Sequence, residues 1–239
     1  MKFQEVMKKL KSLSNPDAVA GMARFGIYEE EAYGVSTPTL RKMARQIGRD
    51  HGLARQLWST GILEARGIAS LIGDPALVTE AQMERWSKDF SSWAVCDACC
   101  SNLFDKTKFA YQKAIEWSSR EEEYVKRGGF VLMAALAVHD KKADDGRFRQ
   151  FFPIIVREAT DERNFVKKGV NWALRQIGKR NPLLNQMAIH VARDIQRIDS
   201  KAARWIAADA LCELTSTKVK NRLRARSRRI PVAPRGPKR

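Results

Sequence analysis

Two stretches of this sequence read as versions of one another. "YVKRGGFVLMAALAVHDK" from Tyr124 and "FVKKGVNWALRQIGKRNP" from Phe165 share an aromatic residue, a valine, a lysine and a further basic residue in the same order. They lie about forty residues apart. A weaker copy follows at "KAARWIAADALCEL" from Lys201, and "FSSWAVCDACCSNL" from Phe90 extends the series upstream. Each copy has the length and patterning of one helix, and the residues between copies supply another. A helix pair of this kind cannot bury its apolar face alone, so neighbouring pairs must stack. The period therefore predicts an all-α chain, a HEAT-like α-α superhelix with a concave basic groove.

Local signals agree. Phe3, Val6, Met7 and Leu10 recur at helical spacing. Thr37 is placed to cap a helix that begins at Pro38 and carries Leu40, Met43 and Ile47 on one face. "TEAQ" at residues 79 to 82 fits a capping box. "GDP" at 73 to 75 and "RNP" at 180 to 182 stop helices. No run alternates in the manner of a strand.

Sorting the repeated helices by direction, at about 100° per residue, separates two faces. From Phe165 the apolar stripe is Val166, Val170, Ala173, Leu174 and Ile177, while Phe165, Lys168, Trp172, Arg175 and Lys179 lie opposite. From Tyr124 the stripe is Val125, Leu132 and Leu136, with Arg127 directed elsewhere. From Phe90 the stripe is Val95, Cys96, Cys99 and Leu103, with Trp93 and Asp97 together off it. Equivalent faces of a stacked solenoid line one surface. Trp93, Asp97, Arg127, Lys168 and Trp172 are expected to meet there, whereas Trp58, Trp86, Trp117 and Trp205 read as packing residues.

Charge narrows the partner. The chain carries a net +17 over 239 residues, a balance that suits a polyanion. Ten Lys or Arg and no acid fall between Lys218 and the C-terminus, where three prolines also sit. We read 1–217 as the repeat domain and 218–239 as a mostly disordered basic arm with room for a short helix near its start. No apolar run suits a membrane span or a signal peptide, so the expectation is a cytoplasmic, nucleoid-associated monomer. The cysteines of "CDACC" are too close on one helix for a zinc set, and His51, His139 and His190 form no metal motif. No glycine-rich phosphate loop is present. Neither a metal nor another cofactor is called for.

A basic groove holding two indoles and one carboxylate suits a transition state that is cationic beside phosphates. Cleavage of an N-glycosidic bond is such a case. The sugar gains oxocarbenium character, which an ionised Asp97 would stabilise while orienting water. Indole faces attract cations, and Arg or Lys hold phosphates.

The chain also resembles the AlkD-like DNA alkylation repair glycosylases over roughly residues 1 to 215. The resemblance rests on "MARFGIYEEEAYGVSTPTLRK" (22 to 42), "SWAVCD" (92 to 97), "YVKRGG" (124 to 129) and "FVKKGVNWALRQIGKRNP" (165 to 182). It implies a monofunctional glycosylase that releases cationic alkylated purines, N3-alkyladenine and N7-alkylguanine, from double-stranded DNA without flipping the base. Trp93, Asp97 and Trp172 would then be catalytic. Arg127, Lys168, Arg175 and Lys179 would contact DNA, and Phe25 or Tyr28 would bring an aromatic ring from the amino-terminal helices. One departure bears on substrate range: some relatives carry a second Trp and an extra acid where this chain has Ala94, Val95 and Cys96. The alternative is a HEAT-like module that binds branched or damaged DNA without chemistry.

Overall fold

The structure, a computed structural model, describes residues 1–29 and 31–227. Every regular element among them is helical, and the chain forms two compact units, Met1–His139 and Asp140–Arg239. The first holds α1 (Phe3–Ser12), α2 (Pro16–Met22), α3 (Thr37–Ile47), α4 (His51–Trp58), α5 (Leu63–Ile72), α6 (Glu80–Lys88), α7 (Trp93–Asn102), α8 (Ala110–Trp117) and α9 (Glu123–His139). The second holds α10 (Gly146–Arg149), α11 (Phe151–Arg157), α12 (Asn164–Gly178), α13 (Pro182–Gln196), α14 (Lys201–Leu214) and α15 (Thr217–Ser227). The four sequence copies are α7, α9, α12 and α14.

In the first unit α4 packs on α5 and α8 on α9, while α3, α5, α7 and α9 touch in succession. This is the packing of stacked helical hairpins. In the second unit α12, α13 and α14 touch one another, and α15 lies against α13 and α14. Val219 and Leu223 are the buried anchors of α15, whose N-terminal residue precedes the expected basic arm. The rest of that arm, 228–239, lies outside the described residues.

The helix stops and caps have identifiable causes. Gly73 ends α5, and Asn181 caps α13 by accepting from the Leu184 N–H at 2.9 Å, with Pro182 as the first helical residue. Thr79 accepts from the Gln82 N–H at 3.1 Å, but the Gln82 amide oxygen bonds His51 Nε2 rather than closing a box. The expected cap at Thr37 is one residue late: Thr37 is already helical and Ser36 is the extended residue before it.

The first unit's core is built on indoles. Trp58 and Trp86 stack at 4.0 Å between centroids, and Trp117 meets Phe90 and Phe104 edge to face. The buried N–H groups are satisfied: Trp58 Nε1 donates to Asp89 at 2.7 Å and Trp117 Nε1 to Glu84 at 2.8 Å. Trp205 departs from expectation. It is 40% exposed, with Lys167 Nζ 5.3 Å from its ring centre, because it lies away from the buried Ala202, Ala203, Ile206 and Ala207 of α14.

The α9 helix is apolar almost all round and is buried from Arg127 to Ala137. Its "GG" lets it approach α8: a Cβ on Gly129 would stand 2.6 Å from the Ser118 backbone nitrogen. The placement of Arg127 on a face away from the core is therefore corrected. A two-sided wheel fails on a helix packed from several directions.

Candidate functional site

The N-terminus of α7 is the centre of the site. Its small residues, Ala94, Val95, Cys96, Ala98, Cys99 and Cys100, let it sit between α5 and α9. Val95, Cys96, Cys99 and Cys100 are buried. Trp93 and Asp97, one turn apart, are left off that buried stripe.

Asp97 has a partner. Arg127 Nε donates to Asp97 Oδ1 at 2.8 Å, and Arg127 Nη2 donates to Oδ2 at 2.8 Å. This two-pronged fork is the strongest geometry for an Arg–carboxylate pair. It is also sheltered, with 8% of the Arg127 side chain and 19% of the Asp97 side chain exposed. Burial pushes the Asp97 carboxyl above the usual carboxylate value, and the guanidinium opposes that rise. Burial works against the charge on Arg127, but the carboxylate outweighs it and holds the guanidinium above its ordinary value.

Trp93 is tied to the segment before α3. Its Nε1 donates to the Phe25 carbonyl at 2.9 Å. Ser91 Oγ donates to both oxygens of Glu29, at 2.9 and 2.7 Å, and Ser92 Oγ also bonds Glu29. On the far side of the segment, the buried Glu64 carboxylate accepts the N–H groups of Tyr33, Gly34 and Val35 at 2.8, 2.7 and 3.2 Å. Gly34 has φ 72°, a conformation suited to glycine. These bonds set Phe25 and Tyr28 into solvent, 69% and 74% exposed.

Between this segment and α7 lies a cleft of about 430 Å³, with Met22, Ile27, Leu40 and Leu63 on its apolar walls and Trp93 and Asp97 along one side. The first unit thus brings together Trp93, Asp97 and Arg127, and Phe25 supplies a carbonyl to that group. Glu29 and Glu64 were not visible as functional positions. Their partners are backbone groups and serines, which leave no sequence motif.

The remaining candidates belong to α12 in the second unit. Lys168 is exposed, with Nζ 5.7 Å from the Phe165 ring centre, and Trp172 is half-buried. Arg175 Nη1 lies 3.0 Å from Glu213 and 3.3 Å from Asp209, and Lys179 Nζ donates to Glu213 at 2.8 Å. Asn171 Nδ2 donates to Asp209 at 2.7 Å. The acids of α14 thus stand against the cations of α12. Their signal was available: Asp209 and Glu213 are four apart, on one face.

A family model described as "DNA alkylation repair enzyme" matches residues 6–214. The chain belongs to that family. Comparison with curated proteins gives no match. Among solved structures, one described as "A new family of proteins related to the HEAT-like repeat DNA glycosylases with affinity for branched DNA structures" superposes with a TM-score of 0.76. Its identity is 19%, over 93% of this chain and 96% of that one. The all-α HEAT-like architecture of the DNA alkylation repair family is thus the fold of this chain. Among the described residues no helix is long and apolar enough to cross a membrane.

Proposed function

We propose that this member of the DNA alkylation repair family is a binding module for branched or distorted DNA. The observation that carries the reading is the fork between Arg127 and Asp97, in which each carboxylate oxygen already accepts a guanidinium N–H. A bare carboxylate stabilises a developing cation through its full charge. A closed ion pair presents only a dipole, which falls off faster with distance. The net charge of +17 supplies affinity for phosphates, and Phe25 and Tyr28 offer exposed rings that suit unstacked bases. The similar solved structure, from proteins with affinity for branched DNA, favours the same reading.

The test is competition between a four-way junction and a linear duplex of equal length, with the salt concentration fixed. The junction should bind at least about tenfold tighter, well within the range by which specific DNA binding exceeds non-specific binding. Equal affinity would overturn the reading.

A second reading, excision of cationic alkylated purines, has its own observation: Trp93 and Asp97 flank one cleft, and part of the Asp97 side chain is open. In that reaction the bond between the anomeric carbon and the base nitrogen breaks, and its electron pair neutralises the base. The water oxygen bonds the anomeric carbon, and its proton passes to Asp97 or to solvent. No general acid is needed, because the base leaves neutral. DNA contact by Lys168 and participation of Trp172 remain part of this reading. Release of N7-methylguanine from a methylated duplex by the native chain, lost in Asp97→Asn, would establish it. No release above background excludes it and leaves the binding module.

A further inference from the structure

Beside the cleft, the first unit carries a second concavity of about 630 Å³ at the C-terminal ends of α3, α5, α7 and α9. Arg41, Arg45, Arg49, Lys106 and His139 stand around it. It continues past Arg49 and Lys106 to Lys108 in an adjoining hollow of about 320 Å³. In the other direction it shares Arg41, Ser101 and Asn102 with the walls of the Trp93 and Asp97 cleft. One basic track therefore leads away from the candidate site.

We infer that this track binds the phosphate backbone of a DNA strand whose distorted part lies at the cleft. The inference rests on the DNA-binding reading above and names its contact surface.

Several of these cations have protein partners. Arg49 lies 3.6 Å from Asp74 with its side chain 66% exposed. Lys106 Nζ donates to the Ser101 and Asn102 carbonyls, closing α7, and to Asp105, which also receives His139 Nδ1. Asp74 and Asp105 are the carboxylates these cations meet, so the cations outnumber them.

Arg41 and Arg45 are different. Both are exposed, and among the described residues neither side chain has a hydrogen-bonded or ion-paired partner. Two long cations held one turn apart without an acid repel each other, and the fold gains nothing visible from them. Neutralising anions relieve that repulsion. Along a helix, residues four apart advance about 6 Å, a step comparable with that between successive phosphates of one strand. Arg41 and Arg45 follow this spacing on α3, and Arg49 comes two residues past the end of that helix. A single small anion would need donors converging on one point, whereas these cations are spread over two adjoining hollows. Continuity with a cleft bearing a half-buried tryptophan favours a nucleic-acid strand over a lipid surface.

The experiment uses the full chain. Binding to a labelled four-way junction is followed by fluorescence anisotropy from low to moderate salt for three proteins: native, Arg41→Ala/Arg45→Ala, and Lys8→Ala/Lys11→Ala. The last pair is exposed on α1 and lines neither hollow of the track. Loss of two phosphate contacts should weaken binding at every salt concentration and reduce the slope of log K against log salt by about two. The α1 pair should leave the slope near its native value. Circular dichroism checks that each variant is folded, as expected for exposed side chains.

If the native chain binds DNA and the arginine pair leaves the slope unchanged, the track is wrong while the binding function stands. Equal losses in both variants would mean diffuse attraction and also overturn it. Absence of native binding overturns both. Sedimentation with phosphatidylserine–phosphatidylcholine vesicles gives the remaining arm: an arginine-dependent vesicle interaction with DNA affinity unaltered assigns the track to lipid and overturns the DNA assignment.

Discussion

Arg127 in the first unit and Arg175 in the second both face carboxylates, yet the two pairings differ in kind. Arg127 grips both oxygens of Asp97, and its side chain is 8% exposed. Arg175 reaches Glu213 and Asp209 through one nitrogen from a half-exposed position, where Lys179 shares Glu213. A buried fork leaves a costly orphan when one member is removed. A wetter cluster is screened, and its members can exchange partners at small cost. A cation on a helix face thus takes its meaning from its surroundings. Arg127 holds the site's carboxylate, while Arg175 and Lys179 are charges kept in check by α14.

The largest expected effect comes from breaking the first pairing. Arg127→Ala should destabilise the chain by about 3–5 kcal/mol in urea unfolding, since Asp97 is left sheltered without its partner. The double change Arg127→Met/Asp97→Leu should recover most of that loss. A cost under about 1 kcal/mol for Arg127→Ala would place this pair in the same class as the second-unit cluster.

Next is the packing that brings Arg127 into position. Gly129→Ala sets a methyl against backbone at 2.6 Å, so α9 must shift from α8. The expected loss is about 1–3 kcal/mol. Neutral behaviour in thermal unfolding would show that α9 has slack and that the Arg127 fork is not locked by this contact.

A smaller effect appears with pH. Lys113 is buried and lies 2.8 Å from each of Glu80, Glu84 and Glu116. Burial favours the neutral form of Glu84, but Lys113, the Trp117 N–H and Arg120 outweigh it and hold the carboxyl below its ordinary 4.5. A depressed carboxyl contributes stability that is fully present above its unfolded value and is lost as pH falls through the folded one. The melting temperature should therefore drop below pH 4.5, and Lys113→Met should shrink that drop. An identical acid limb in the variant would remove Lys113 as its cause.

The smallest stability change is expected for Glu213→Ala, below about 1 kcal/mol. Its sign in binding is opposite: removing one negative charge beside Arg175 and Lys179 should tighten DNA binding at low salt. Weaker binding would mean that Glu213 positions these cations rather than restraining them.

Much of the architecture was legible because stacking imposes a period. The copies at Phe90, Tyr124, Phe165 and Lys201 each coincide with a helix, and Asn181 with Pro182 marks a boundary by local chemistry alone. Trp93 and Asp97 were legible as a pair because four residues return to the same face. Arg127 was misdirected because its helix is buried on several sides, which periodicity does not reveal. Trp205 was assigned to the core by residue type, although the alanines beside it are what pack. The bonds from Glu29 and Glu64 depend on chain segments meeting across long separations. Arg41, Arg45 and Arg49 were written in the sequence at four-residue intervals; their setting became evident only with the ends of α5, α7 and α9 beside them.

The segment carrying Phe25 and Tyr28 is fastened at Glu29, at the Phe25 carbonyl and along Tyr33 to Val35. Fixing the backbone of one residue costs about 1–2 kcal/mol in lost conformational entropy. Here that loss is incurred during folding, before any ligand arrives. The two rings are presented by an already ordered loop, so stacking on them can appear as affinity instead of being consumed in ordering the protein.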